Sequence, residues 1–213
     1  MSGWEPYVVR QGDYLAKLAH RYGFDADAVW NDDRNADLRK LRSDPQTLCP
    51  CDILYIPEPK APRTFALTVG VTNSFVSTTP TVPISITLEH DGQPVASTEC
   101  VVHGLPELSK VTTGSDGSLT FDIPVTVTSV TLVVPKLGMV RTIKVGHLDP
   151  ANEPCGIVER LRNLGYLSSG TEALDADLAL AHALSDFQAD CGLPETGVAD
   201  DATIAKLSEA HGS

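Results

Sequence analysis

The chain has 213 residues, 42% hydrophobic and 21% charged, which suits two or three domains with ordinary packed cores. Its formal charge of −12 disfavours contact with nucleic-acid phosphates, and no apolar run reaches the length of a membrane span. Five cysteines are too few for a disulfide framework, so reduced thiols are expected. The first residues lack the basic and apolar regions of a secretory signal. We therefore expect a protein that is cytoplasmic as synthesised and that would reach the periplasm or cell envelope only by a non-classical or injection route.

Two proline-rich stretches, residues 57–62 and 149–154, divide the sequence into three parts. Successive prolines interrupt helices and favour extended spacers, so domain boundaries are expected there. The predicted domains are residues 1–58, 64–146 and 155–213. The first and third have helical patterns and the second is β-rich, which predicts an α+β multidomain protein.

The first part has the pattern strand, helix, helix, strand. Tyr7-Val8-Val9 is β-prone, and the helix after it is expected to have Asp13 as its N-cap and to end at Gly23. The remaining predicted elements are a helix beginning near Asp25 or Asp27, a helical piece over 35–41 and a closing strand over 53–56.

Two runs near the ends of this part carry its strongest motif: residues 7–15, YVVRQGDYL, and residues 48–57, LCPCDILYIP. In order and spacing they resemble the LysM family. The resemblance implies a βααβ fold that binds N-acetylglucosamine-containing glycans, such as peptidoglycan or chitin, in a groove between two loops. The glycan-binding residues implied in those loops are Gly12, Asp13, Tyr14, Leu15, Leu48, Cys49, Pro50 and Cys51.

Two positions in this motif differ from the usual family pattern. Tyr14 stands where the family usually has Thr, and Cys51 where it often has Gly. A tyrosine in the groove would either stack on a sugar face or block the groove. Because a fold does not determine a function, a module of this kind that contacts protein instead of glycan is the alternative interpretation.

The middle part is rich in Thr, Val, Ile and Leu and has turn signals at short intervals, which predicts an antiparallel β-sandwich. Asp91-Gly92 is a hairpin signal, and residues 115–118 form another predicted turn. Residues 91–95 and 113–119 resemble the transthyretin-like and carboxypeptidase-regulatory-like sandwiches. Domains of these families are usually spacers or docking surfaces. The candidate strands are 65–72, 82–90, 95–103, 119–123, 130–134 and 140–145.

The third part predicts three short helices around a small apolar centre. Residues 158–166, 183–188 and 192–203 resemble the three-helix peptidoglycan-binding domain found beside many cell-wall hydrolases. Residues 168–174 replace the Gly-containing turn that the family usually has before its middle helix, and Ala199 stands at a usual glycine position. Residues 147–213 hold 12 acidic and 3 basic residues, which makes this part a poor partner for anionic wall polymers.

No set of residues in the sequence matches a known catalytic or metal-binding pattern. The six histidines show no metal-ligand spacing, and Cys49-Pro50-Cys51 has no second cysteine pair with which to hold zinc. Helix capping explains the paired acids at 32–33 and 200–201 better than a glycosidase site does. We therefore expect no enzyme activity, no catalytic residues, no metal and no cofactor.

These patterns support two hypotheses of function. In the first, the LysM-like groove binds peptidoglycan or another N-acetylglucosamine glycan, and the C-terminal module adds a second wall contact. In the second, the chain is a cytoplasmic structural adaptor, or a component associated with a spike or baseplate protein, in a type VI secretion or phage-tail-like contractile injection system. Parts carried on a spike cross the wall without a signal peptide, which would explain why none is recognised here. The second hypothesis rests on this analogy. Neither hypothesis involves nucleic acid or a membrane as partner.

Overall fold

The computed structural model describes residues 3–58, 64, 66–74, 78–168 and 176–212. Helices and antiparallel strands occur together, which confirms the α+β class. The chain separates into two compact units. The first unit comprises Met1–Ile84, Cys100–Val111 and Thr120–His147, and the second comprises Ser85–Glu99, Thr112–Leu119 and Leu148–Ser213. The domain boundaries drawn from the prolines stay predictions.

The N-terminal part of the first unit follows the expected order of elements. Strands β1 (Trp4–Val8) and β2 (Ile53–Pro57) pair in antiparallel fashion and enclose three helices in the sequence, α1 (Leu15–Tyr22), α2 (Ala26–Trp30) and α3 (Ala36–Leu41). The periodic apolar residues of these elements form one core. Its buried members are Val9, Leu15, Leu18, Val29, Leu38, Leu48, Leu54 and Ile56.

Pro6 is accommodated in β1 because it needs no backbone donor there. Pro6 lies opposite Tyr55 in the register. The Tyr55 N–H donates to Oδ1 of Asn35, and the Asn35 amide donates to the Tyr55 carbonyl oxygen, at 2.8 and 2.9 Å. Both polar groups of Tyr55 therefore point away from β1, so the missing N–H of Pro6 leaves no ladder bond unmade.

The predicted helix ends are confirmed at Gly23, which takes a left-handed φ of 73°, and at Asp25, which caps α2 by accepting from the Ala28 N–H. The expected N-cap role of Asp13 is wrong. Tyr14 occupies the N-cap position of α1 and makes no side-chain capping bond there. The Asp13 carboxylate instead accepts from the Tyr7 hydroxyl of β1 and from the Arg10 N–H.

The β-rich part contains eight strands in the described residues: β3 (Thr81–Thr87), β4 (Glu89–His90), β5 (Gln93–Pro94), β6 (Glu99–His103), β7 (Ser109–Thr112), β8 (Ser118–Pro124), β9 (Ser129–Val134) and β10 (Met139–Lys144). Four of them form a sheet in the order β10-β9-β6-β7, while β3 pairs with β8 and β4 with β5. Alternate residues of β8 and β9 are buried, as period-two strands with one covered face require. The sandwich and its family likeness stay predictions.

Two local signals in this part had different outcomes. Asp91 and Gly92 join β4 to β5 with φ angles of 52° and 69°, as the predicted hairpin turn requires. The expected strand over 65–72 is absent from residues 66–72, and Phe65 lies outside the described residues. Asn73 explains the loop, because its side chain accepts from the Thr68 N–H and donates to two loop carbonyls, which replaces strand pairing.

The second unit contains the three predicted C-terminal helices: α4 (Pro154–Asn163), α5 (Ala176–Asp190) and α6 (Asp201–His211). Their apolar stripes meet in one core, with Leu161, Phe187 and Leu207 among its most buried residues. The unusual turn expected at 168–174 falls, apart from Ser168, outside the described residues. Within the described ranges, no helix has both the length and the apolar character of a membrane span.

Candidate functional site

The loop between β1 and α1 contains three of the predicted glycan-binding residues, Gly12, Asp13 and Tyr14, and is held from inside by Asp13. The Asp13 side chain is 6% exposed, and Oδ2 accepts from the Tyr7 hydroxyl at 2.7 Å and from the Arg10 N–H at 3.1 Å. Nζ of Lys17 lies 3.8 Å from Oδ1. Burial, followed by the bond to Asp13, raises the pKa of the Tyr7 hydroxyl above its ordinary value. Asp13 therefore shapes the loop and has little carboxylate surface left for a ligand.

Tyr14 is buried rather than open to solvent. Its side chain is 3% exposed, and its hydroxyl donates to the carbonyl oxygen of Val125 at 3.3 Å. A Cβ atom built on Gly146 would lie 2.8 Å from Cδ1 of Tyr14, so backbone of the β-rich part packs directly on the ring. Burial raises the pKa of the Tyr14 hydroxyl. Sugar stacking on this ring would require the contact to open.

The turn after β10 also contacts the residues before Tyr14. Nε2 of Gln11 donates to the carbonyl oxygen of His147 at 3.2 Å. Gly12 has a left-handed φ of 84°, and a Cβ atom built there would lie 3.3 Å from Nε2 of His147. All these partners belong to the first unit. The strand-to-helix loop is thus a contact surface within that unit.

The second predicted loop ends in a tight turn over residues 49–52. The Asp52 N–H donates to the Cys49 carbonyl oxygen at 3.1 Å, Pro50 follows Cys49, and Cys51 takes a φ of 74°. Proline followed by a residue with positive φ is the pattern of a type II turn, in which the third position favours glycine. Cys51 is exposed, whereas Cys49 and Pro50 are half-buried.

The segment just before the second predicted loop bonds to the start of α1. The Leu15 N–H donates to the Pro45 carbonyl oxygen at 3.1 Å, and the Ala16 N–H to Oε1 of Gln46 at 3.3 Å. These bonds satisfy two of the amides that the start of a helix leaves without an intrahelical partner. Leu15 and Leu48 lie buried in the shared core. Of the eight predicted residues, only the 49–51 segment reaches the surface, and the glycan role of the set stays a prediction.

The motif analysis missed the partners of Tyr14. Val125 is 111 residues away in sequence, and Gly146 follows a predicted strand without any motif of its own. A glycine at the end of a strand indicates a turn or a close approach of backbone, but it does not identify the neighbour.

The second unit has a buried polar centre at Gln188, which is 1% exposed. Its Oε1 accepts from the N–H groups of Thr196 and Gly197, both at 2.9 Å. Its Nε2 lies within 3.1 Å of the Thr196 hydroxyl, the Val198 carbonyl oxygen and the Thr203 hydroxyl. One amide side chain therefore fixes residues 196–198 of the loop between α5 and α6.

The aromatic side chain that follows α4 is also fixed. The Tyr166 hydroxyl donates to Oδ2 of Asp190 at 2.8 Å, and its ring meets the Phe187 ring edge-on with centroids 5.4 Å apart. Burial, followed by the bond to Asp190, raises the pKa of Tyr166 to about 12. The half-buried Tyr166 is thus a rigid part of the surface of the second unit.

The paired acids cap helical segments, as expected. Asp32 accepts from the Arg34 N–H at the start of a short 3-10 turn, and Asp200 accepts from the Thr203 N–H at the start of α6. None of the five cysteines, all of which lie within the described residues, forms a disulfide bond. Among the residues that the structure describes, no cluster of three or more His, Cys, Asp or Glu side chains could hold a metal ion.

Comparison with known families identifies the C-terminal part. Residues 157–207 match the family described as "Putative peptidoglycan binding domain". The match begins inside α4, includes α5 and ends inside α6, which confirms the resemblance predicted for this part. It does not extend to the LysM-like or β-rich parts, whose family assignments stay predictions. No curated protein and no solved structure matches this chain.

Proposed function

We propose that this chain binds peptidoglycan without catalysis, through the three-helix part of the second unit. The observation that supports this most directly is the family match over residues 157–207, which coincides with one closed helical core. The Gln188 bonds and the Tyr166–Asp190 bond support a preformed surface there. A preformed surface loses little entropy when it binds a ligand.

The charge of this part defines the kind of wall component that it would contact. Residues 147–213 hold 12 acidic and 3 basic residues, so anionic wall polymers are repelled. The proposed contact is therefore with the uncharged sugar and peptide groups of peptidoglycan. Such a contact does not weaken as salt rises, whereas an ionic contact does.

The proposal extends to a second glycan contact in the first unit. The strand-helix-helix-strand order and the type II turn at 49–52 support a LysM-like module there. N-acetylglucosamine residues would bind to the predicted loops, and their first contact would be with the surface segment Cys49–Cys51. Two linked weak sites increase overall retention because the second binding event becomes intramolecular.

Sedimentation with purified sacculi tests the proposal on the full chain. We expect retention of the wild type by sacculi stripped of anionic polymers, without loss as salt rises from about 0.05 to about 0.5 M. Gln188→Met should reduce retention, because the loop after α5 loses its bonds. Asp186→Asn, which changes an exposed side chain on the same helix, should retain binding. A wild type that stays in the supernatant at every salt concentration would refute wall binding.

One observation favours an adaptor as the second candidate function. The loop expected to hold sugar already packs against polypeptide through Tyr14 and Gln11. A module that uses this loop to contact protein fits a structural part of a contractile injection system, bound to a spike or baseplate protein. That candidate predicts co-purification with such a protein from cells and no retention by sacculi.

A further inference from the structure

The loop after β1 contacts two segments of the β-rich part, Val125 after β8 and the turn after β10. The Tyr14 hydroxyl bonds to the Val125 carbonyl oxygen, and the Gln11 amide bonds to the His147 carbonyl oxygen. The paired residues are 111 and 136 positions apart in the sequence. The contact is therefore a tertiary one that local sequence does not enforce.

The turn fits the loop only because residue 146 has no side chain. Gly146 takes a φ of 71°, which disfavours other residues. A Cβ atom there would lie 2.8 Å from Cδ1 of Tyr14 and 3.0 Å from the Gly12 carbonyl oxygen. Gly138, in the turn before β10, has a similar φ of 61°, but a Cβ atom there meets nothing within 4 Å. Comparing substitutions at Gly146 and Gly138 therefore separates the effect of the close approach from the effect of the positive φ.

The turn covers the residues that a ligand of this loop would have to reach. Gly12, Asp13 and Tyr14 are all buried, and the Asp13 carboxylate is already bonded to Tyr7 and Arg10. A ligand and the turn cannot occupy the same face of the Tyr14 ring together. Binding at this loop therefore competes with the closed contact, and its apparent affinity falls with the fraction of molecules that are closed.

We propose that the Gly146 turn is an autoinhibitory occupant of the loop after β1, and that an N-acetylglucosamine oligomer binds the first unit only when this turn leaves. The inference rests on the proposed glycan contact of the first unit and adds its regulation. Anything that displaces the turn exposes the Tyr14 ring and the Gly12 backbone together, because both lie against the same short segment.

Gly146→Ala tests the proposal, with Gly138→Ala as the matched control for φ strain. Hydrogen exchange of the amides of residues 12–15 reports opening, and titration with chitohexaose reports binding to the first unit. We expect faster exchange and about tenfold tighter chitohexaose binding in Gly146→Ala than in the wild type and Gly138→Ala. Faster exchange without tighter binding would overturn the inference, and so would equal exchange in both alanine variants.

A second variant keeps the test decisive if Gly146→Ala folds poorly. Gln11→Leu deletes the side-chain bond to the carbonyl oxygen of His147, the residue after Gly146, and leaves the Tyr14 ring in place. Its exchange and chitohexaose affinity should change in the same direction, and an unchanged affinity with faster exchange would overturn the inference. Retention of the wild type by sacculi is measured separately. Its principal contact is proposed for the second unit, so loss of the wall-binding function and loss of this regulation give different results.

Discussion

Arg42 and Asp52 form a buried bidentate ion pair in the first unit. Nε and Nη2 of Arg42 donate to the two carboxylate oxygens of Asp52 at 2.8 and 3.0 Å, and the side chains are 4% and 6% exposed. Asp52 also accepts from the Cys49 N–H at 2.9 Å, so the same carboxylate holds the 49–52 turn. The pair therefore links the end of α3 to the surface segment of the predicted glycan loop.

Arg42→Met should destabilise the first unit by about 3 kcal/mol, because it leaves the Asp52 charge buried without its guanidinium partner. Trp4 and Trp30 are the two tryptophans of the chain and both lie in this unit, so urea unfolding followed by tryptophan fluorescence measures the change. Arg10→Met removes an exposed arginine from the same unit and should shift stability by less than about 0.5 kcal/mol. Equal effects of the two variants would contradict a structural role for the pair.

Gln188→Met should destabilise the second unit by about 3 kcal/mol or more. The substitution nearly conserves side-chain volume but removes the hydrogen-bond partner of two backbone N–H groups and one backbone carbonyl. Each of these groups is costly to leave without a hydrogen bond. Hydrogen exchange of the α5 and α6 amides measures the loss within this unit. Unchanged protection of α6 would mean that the loop after α5 does not depend on Gln188.

Gly156→Ala should also destabilise the second unit, by about 2 kcal/mol, although alanine is ordinarily the better helix former. A Cβ atom on Gly156 would clash with the Pro150 carbonyl oxygen and would lie 2.6 Å from that of Asp149. The segment before α4 would have to move away, and the Arg160 guanidinium would lose its bond to the Asp149 carbonyl oxygen. Hydrogen exchange at α4 tests this, and increased protection, as in an ordinary exposed helix, would be the contrary result.

Local signals predicted the ends of elements well, because capping and tight turns depend on a few adjacent residues. Gly23, Asp25 and Asp200 each end or begin a helix as expected. Asp13 did not, because a bond from the Tyr7 hydroxyl competes with the capping position and leaves no trace in the spacing of residues. The C-terminal resemblance identified its part of the chain, since its motif and its core residues coincide.

Long-range contacts were beyond the same methods. Periodicity indicates that Leu15 is buried, but it does not indicate that Tyr14 is covered by Val125 and Gly146. The expected strand at 65–72 is absent from residues 66–72, where the Asn73 side chain bonds to Thr68 and Val71 in place of strand pairing. A candidate site drawn from a motif is therefore least secure where a distant segment packs on it.

Cys51→Gly should stabilise the first unit by about 0.5 kcal/mol. Cys51 has a φ of 74°, which costs a non-glycine residue about 1 kcal/mol. Glycine removes this cost, but it also increases the conformational entropy of the unfolded chain, which offsets part of the stabilisation. Cys51→Val should destabilise the unit, because a β-branched side chain tolerates this φ least. Urea unfolding with tryptophan fluorescence ranks the three proteins, and a valine variant as stable as the wild type would contradict the assigned turn.

Asp200 provides a pH dependence whose direction is defined by its capping bonds. The Thr203 hydroxyl and then the Thr203 N–H donate to its carboxylate, at 2.7 and 2.8 Å, and hold the pKa of Asp200 below its ordinary value. A carboxyl with a lower pKa in the folded state stabilises above its unfolded pKa, and this contribution is lost as pH falls through the folded value. Asp200→Asn keeps a capping acceptor but does not titrate, so the difference in stability between wild type and variant should shrink between about pH 5 and about pH 3.

Asp186→Asn, on the exposed side of α5, lacks the capping contact and is the control. Protection of the α6 amides in hydrogen exchange, followed across that range, measures the difference, and a difference that grew on acidification would contradict the assigned cap.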